Sequence, residues 1–371
     1  MFKLKYVALA LTAALALAGC SSPKHEPAEL VKITPIINVT EEWSKNVSSS
    51  ESFLYPTIAS EAVYAAGGKT LYRMDVNNGN VLWTVDLDSP VTGGVGSDGY
   101  YTAVATEDGK LTVVDSDGAK LWDYALTSKL QGPPVVVQDM VIVRTADTRI
   151  TALKASTGEV QWTYQRTQPA LTVRVPTVMT AMQNVLFAGQ PNGHMVVLDI
   201  GSGQQVFEFP VGQPKGITEV ERLIDVVGAP AMDGNMFCAS AYQGAVTCVD
   251  TQNGQMLWTK RADAVSGPAI DSENVYVVET DGVVQAFYRE SGELRWTNDT
   301  MKYRGLSSPV VVPGGMAVGD EEGYIHVLSP RTGEEIGRTR LSGAIVVPPV
   351  PYLNGAVFQT QKGDVAYVVT R

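Results

Sequence analysis

Nucleophilic and metal chemistry in proteins runs largely on Cys and His, and this chain of 371 residues has three of each. The histidines are His25, His194 and His326, and the cysteines are Cys20, Cys238 and Cys248. Apart from Cys20, five positions before His25, no cysteine lies near a histidine, and the histidines fall in separate stretches. Neither a zinc site nor a Cys-His nucleophile has a spacing to rest on, so we expect no catalytic residue, no metal and no cofactor, only solvated or packed histidines. Cys238 and Cys248 flank the turn Tyr242-Gln243-Gly244, which sets them roughly opposite each other on adjacent strands. An oxidising compartment would bond them, and otherwise they are two buried thiols. The formal charge of −11 lacks the clustered cations that a nucleic-acid partner needs. A 44% hydrophobic and 18% charged composition is that of a folded chain.

The elements that position these residues are set by a repeat. Six tryptophans stand at 43, 83, 122, 162, 258 and 296, and the first four are 40, 39 and 40 residues apart. Phe207 occupies the phase position between Trp162 and Trp258, and the next position after Trp296 falls on Ile336-Gly337. The approach to each is shared: Met74-Asp75-Val76-Asn77-Asn78-Gly79-Asn80-Val81-Leu82 precedes Trp83, and Val249-Asp250-Thr251-Gln252-Asn253-Gly254-Gln255-Met256-Leu257 precedes Trp258. An apolar strand, a polar turn whose Gly takes a positive φ, and a strand carrying an inward aromatic make a hairpin. Two further strands precede each hairpin, the second being an apolar run such as Val63 to Ala66 or Val275 to Val278. The first opens at a proline: Pro56, Pro134, Pro176, Pro230, Pro268, Pro309 or Pro349. Four strands per ~40 residues is the period of a β-propeller blade.

Seven blades close at Trp83, Trp122, Trp162, Phe207, Trp258, Trp296 and Ile336. Ile345 to Val369 supplies only three strands, and Glu41 to Val47, with Trp43, is an orphan outer strand. Joining the two ends makes an eighth blade, so residues 41–371 are expected to form an all-β, eight-bladed β-propeller without an open edge.

Ahead of the ring, Lys3 and Lys5 precede an apolar run from Tyr6 to Ala18, which is too short to span a bilayer. It ends in Leu17-Ala18-Gly19-Cys20, which resembles a bacterial lipobox. Residues 1–19 then read as a signal peptide and Cys20 as the acylated residue. Ser21 after it resembles outer-membrane sorting in a Gram-negative cell. Residues 20–40 read as a lipidated tether with too few apolar side chains to pack.

Two connections between blades exceed the period. Trp162 to Pro176 and Phe207 to Pro230 are 14 and 23 residues apart, against 10 from Trp258 to Pro268. In an up-and-down meander all such links share one face, and these two flank blade four. The first carries Leu171-Thr172-Val173-Arg174 and the second Thr218-Glu219-Val220-Glu221-Arg222-Leu223-Ile224-Asp225, where Thr218 and Glu221 have the spacing of a capping box. Apolar residues interleaved with Arg and Asp on neighbouring loops suit a protein-binding hot spot, and a loop tucking its own apolar residues onto the rim is the plainer alternative.

The lipobox, the eight-bladed repeat and the paired loop motifs together resemble the BamB family, lipoprotein subunits of the outer-membrane β-barrel assembly (BAM) machinery. The resemblance implies a periplasmic, non-catalytic scaffold, lipid-anchored in the outer membrane. Its loops would meet a POTRA domain of BamA. Other BAM subunits and unfolded barrel clients would be further partners. Carried over by motif, Leu171, Val173, Arg174 and Asp225 would touch the partner, with Glu221 and Arg222 beside them. The family's second Asp is replaced here by Val227. The competing class is a membrane-anchored quinoprotein (PQQ) dehydrogenase, whose blades look similar. Against it stand the missing adjacent Cys pair and the absence of spare length for active-site insertions. A propeller binding a small ligand in its channel is a third reading.

Overall fold

A computed structural model describes residues 25–166, 177–214, 217–218 and 223–371. Among these residues, thirty-two strands form eight antiparallel sheets of four, and there is no helix. The chain is thus an eight-bladed β-propeller. Blade one is Thr57–Ala59, Ala62–Gly67, Thr70–Asp75 and Val81–Asp86, counted from the channel outward, and six more blades repeat that order. The eighth joins the chain ends: Val350–Tyr352, Gly355–Gln359 and Asp364–Thr370 are completed by the N-terminal strand Val39–Asn46, with Trp43 opposite Tyr367.

The burial pattern explains why the middle strands read as continuous apolar runs. Ala62–Gly67 and Met236–Ala241 are buried at every position, because both faces of these strands meet a neighbouring blade. Outer strands such as Val81–Asp86 alternate between half-buried and exposed, as expected of a sheet with one wet face. The apolar core divides into eight clusters, one at each junction between blades.

The tryptophans join each blade to the next. Each indole Nε1 donates to a carbonyl in the outer turn of the following blade: Trp43 to Val76 (2.8 Å), Trp83 to Ser116 (2.9 Å) and Trp122 to Ala155 (2.7 Å). Trp162 reaches Ile200 (2.7 Å), Trp258 reaches Arg289 (2.8 Å) and Trp296 reaches Pro330 (3.1 Å). The ring face packs on the turn glycine. At Gly292, with φ of +66°, an added Cβ would stand 2.6 Å from Trp258 Cδ2.

The two departures from tryptophan have different causes. Phe207 is 42% exposed and has no N–H to donate, so the joint between blades four and five lacks the indole bond. Ile336 faces blade eight, whose outer strand is the N-terminal Val39–Asn46, so no hairpin turn joins its third and outer strands. The N-terminal segment fills that place: the amides of Ile36 and Ile37 donate to Ile336 O (2.8 and 3.2 Å), and Asn38 and Arg371 exchange backbone bonds. Ile37 and Val39 pack on the cluster containing Ile336.

Two expectations are corrected. Residues 25–38 do not hang free as a tether. Polar composition gives way at Ala28 to Leu30, Val31, Ile33, Ile36 and Ile37, and this stretch lies along blade seven, with Ala28 bonded to Lys302 and Arg304. Pro230 does not open its strand but sits within Val226–Asp233, at a bulge between Val227 and Ala231 where no ladder donor is needed.

Candidate docking face

Each blade's outer strand ends on the face from which the next blade's inner strand begins, so the links between blades and the turns between the second and third strands share one face. The outer hairpin turns occupy the other. Of the expected contact residues, Leu171, Val173, Arg174, Glu221 and Arg222 lie outside the described residues, as do Cys20 and most of the Thr218 to Glu221 capping box.

Asp225 is described, and its setting differs from that of a surface contact. It is 7% exposed. Its backbone bridges Pro191, its carbonyl accepts from the Tyr242 amide (2.9 Å), and its Oδ1 accepts from the Asn192 amide (3.2 Å). The end of the long link is thereby pinned to the turn of blade four on one side and that of blade five on the other. Ile224 beside it is buried in the cluster between those blades. Val227, two residues after Asp225, is 1% exposed and packs between blades five and six. A carboxylate there would have no water.

A residue that the sequence reading missed lies behind this corner. Arg144 ends the second strand of blade three, is 1% exposed, and donates through Nη1 to Gly189 O of blade four. Burial pulls its guanidinium down to about 10, and the nearby Asp225 charge partly restores it. A buried cation from blade three thus faces a buried carboxylate from the link after blade four. The signal was in the register. Opposite the first Leu, Ile, Val or Met of each third strand, the blades place Ala66, Ala105, Arg144, Gly189, Ser240, Val278, Gly319 and Gln359, and Arg144 is the one charge.

The cysteines meet across strands Met236–Ala241 and Gly244–Asp250: Cys238 pairs with Cys248 in register, and the two form a disulfide. Both side chains are fully buried. His194 opens the strand His194–Asp199, with Nδ1 3.0 Å from Glu208. His326 is fully buried between two carboxylates, with Nε2 3.1 Å from Asp320 and Nδ1 2.7 Å from Glu335. Asp320 also takes Arg304 Nε (2.8 Å), and Glu335 takes Arg338 Nε (2.7 Å). Every member of this blade-seven network has a charge partner, and among the described residues no group of His, Cys, Asp and Glu could hold a metal ion.

Comparison with known proteins places the chain. The family described as "Outer membrane protein assembly factor BamB" matches residues 67–298 and 280–370. A protein of that name from Bordetella pertussis is 36% identical over 97% of this chain and 96% of its own. The chain belongs to the BamB family. The crystal structure of BamB from Moraxella catarrhalis is 27% identical and superposes with a TM-score of 0.82, covering 89% of this chain and 99% of that one. A quinohemoprotein alcohol dehydrogenase from Pseudomonas putida also superposes, with a TM-score of 0.67 over 90% of this chain and 76% of its own, at 13% identity. That likeness is one of fold. Membership in the BamB family, whose members are named as assembly factors, makes the chain a non-catalytic scaffold rather than a dehydrogenase.

Proposed function

We propose that the protein is an outer-membrane protein assembly factor that works by docking, through the links around blade four, on the periplasmic POTRA region of BamA. Cys20 carries the lipid that holds it to the outer membrane, on the periplasmic side. Leu171 and Val173 supply the desolvated centre, and Arg174 supplies a bidentate donor to a partner carboxylate, with Glu221 and Arg222 at the rim. Asp225 acts from behind, holding the link in place. The observation that carries this reading is the corner built by Arg144, Gly189, Asn192 and Asp225, which fixes the root of the longest link against two blades. A binding loop gains affinity when its root is ordered in advance. Client barrel proteins would be brought to the machinery by the partner, and the docked propeller would help position BamA.

The test is a pull-down from solubilised outer membrane with identification of the bound proteins. Recovery of a large β-barrel protein with periplasmic domains is expected. Recovery of none would sink the docking reading and leave a lipid-anchored propeller.

A further inference from the structure

The segment from His25 to Asn38 has a defined path, and that path ends on the link face. The outer strand of blade seven, Glu335–Arg340, runs from the hairpin-turn face to the link face. Ile36 and Ile37 bond to Ile336 near its start, and the Val31 carbonyl accepts from Arg338 Nη2 (3.2 Å) further along. Ala28 then reaches the link between blades six and seven, where its amide donates to Lys302 O (2.9 Å) and its carbonyl accepts from Arg304 Nη1 (2.8 Å). The His25 ring stacks on Tyr303 at 4.3 Å between centroids. Traced toward its N-terminus, the segment thus climbs the side of the propeller and arrives at the rim of the link face.

Its anchor points are not loose surface groups. Arg304 is 3% exposed and braced by Asp320 and Glu322, and Arg338 is braced by Glu335. Two fixed cations with a backbone carbonyl on each hold an extended strap in one track.

From this geometry we propose that residues 25–37 are a docked strap that delivers the lipid anchor to the blade six–seven rim of the link face, so that this rim rides next to the bilayer. The proposal rests on lipidation at Cys20. His25 stands five residues after Cys20, a length that at full extension reaches about 18 Å, so the rim stays within about that distance of the lipid headgroups. The long links around blade four lie two to three blades further round the same face. The anchor therefore sets the tilt at which that docking surface is presented, which a free tether of twenty residues would not do. The partner at the rim is the membrane surface itself.

The experiment uses the full lipidated protein in phospholipid vesicles carrying a nitroxide quencher on the headgroup. With Cys238 and Cys248 bonded and Cys20 acylated, single fluorophores are placed through Asp299→Cys at the strap's rim and Ser272→Cys on the opposite face. Strands of five to six residues separate the faces by about 20 Å, so quenching at 299 should exceed that at 272 by at least about twofold. A strap-only variant, His25→Ala with Ala28→Pro, removes the ring stack and the Ala28 donor without touching the propeller, and should erase that difference. Equal quenching at both positions, or a difference that survives the variant, overturns the proposal. Mass spectrometry of the N-terminal peptide checks the lipid separately. Were Cys20 unmodified, slowed exchange of the Ala28 amide would still support docking of the strap, and exchange at the rate of a free, unprotected amide would refute it.

Discussion

If the phased tryptophans hold the ring together, then the glycine under each ring is a packing requirement as well as a turn requirement, and two substitutions separate these roles. Gly292→Ala places a Cβ 2.6 Å from Trp258 Cδ2 at a φ of +66°. Gly109→Ala is made at a φ of +81° with nothing within 4 Å. Both pay the left-handed penalty, about 1–2 kcal/mol, and both change the unfolded chain in the same way. Only Gly292→Ala adds overpacking, about 1–3 kcal/mol, because the Trp258 indole is held by its bond to Arg289 O and cannot slide away freely. We expect Gly109→Ala to lose about 1–2 kcal/mol and Gly292→Ala about 2–5 kcal/mol, read from urea unfolding followed by tryptophan fluorescence at constant slope. Equal losses for the two variants, within about 0.5 kcal/mol, would refute the claim that ring-on-glycine packing is what the repeat preserves.

Three further outcomes follow from the structure. Replacing Cys238 and Cys248 together by Ala removes a cross-link closing a loop of ten residues and should cost about 2–3 kcal/mol by urea unfolding, while reductant added to native protein should leave the disulfide intact because both sulfurs are buried. Arg144→Met should destabilise by about 3 kcal/mol by leaving the Asp225 carboxylate without its facing cation, and adding Asp225→Asn should recover part of that loss; strict additivity in this double-mutant cycle would show the two do not interact. The blade-seven network makes stability depend on pH from both sides. Burial disfavours charge on His326, but its hydrogen bonds to Asp320 and Glu335 outweigh that and raise it above its ordinary 6.5, so its contribution is complete below 6.5 and lost as pH rises through the raised value. Burial likewise opposes the carboxylates, yet the His326 and Arg partners hold Asp320 below 3.8 and Glu335 below 4.5, and their contribution is lost as pH falls through those lowered values. Stability should peak between about 4.5 and 6.5, and His326→Gln should flatten the alkaline limb of the urea midpoint plotted against pH.

The ring was legible because a blade imposes two strong signals at once. A middle strand buried on both faces is almost wholly apolar, as Val63 to Ala66 is, and an indole that reaches the next blade must recur in phase. Ile336 stands in phase where the repeat would place a tryptophan. The cause is visible only once the chain ends meet, because the acceptor turn it would serve is replaced by Ile36 and Ile37. The strap was not legible because the composition of residues 20–40 speaks only of side chains, whereas docking depends on backbone carbonyls at Ala28 and Val31 that any sequence possesses. Arg144 escaped notice for a related reason: one buried cation in a mostly apolar strand stands out only when the eight registers are laid side by side. Asp225 was identified as important from its loop, but its burial follows from how Pro191 and Tyr242 close around it.

The central claim is that the links around blade four are the surface that meets BamA. Its most direct test is the affinity of the purified protein for the purified periplasmic region of BamA, compared between wild type, Arg174→Glu and Arg331→Glu, the last being an exposed charge on the opposite face of blade seven. Reversing a charge paired at the heart of an interface costs about 2–5 kcal/mol, so Arg174→Glu should weaken binding by about 30-fold or more. Arg331→Glu should bind as wild type does, and both variants should unfold at the wild-type urea midpoint. Unchanged affinity for Arg174→Glu would contradict the assignment of this face.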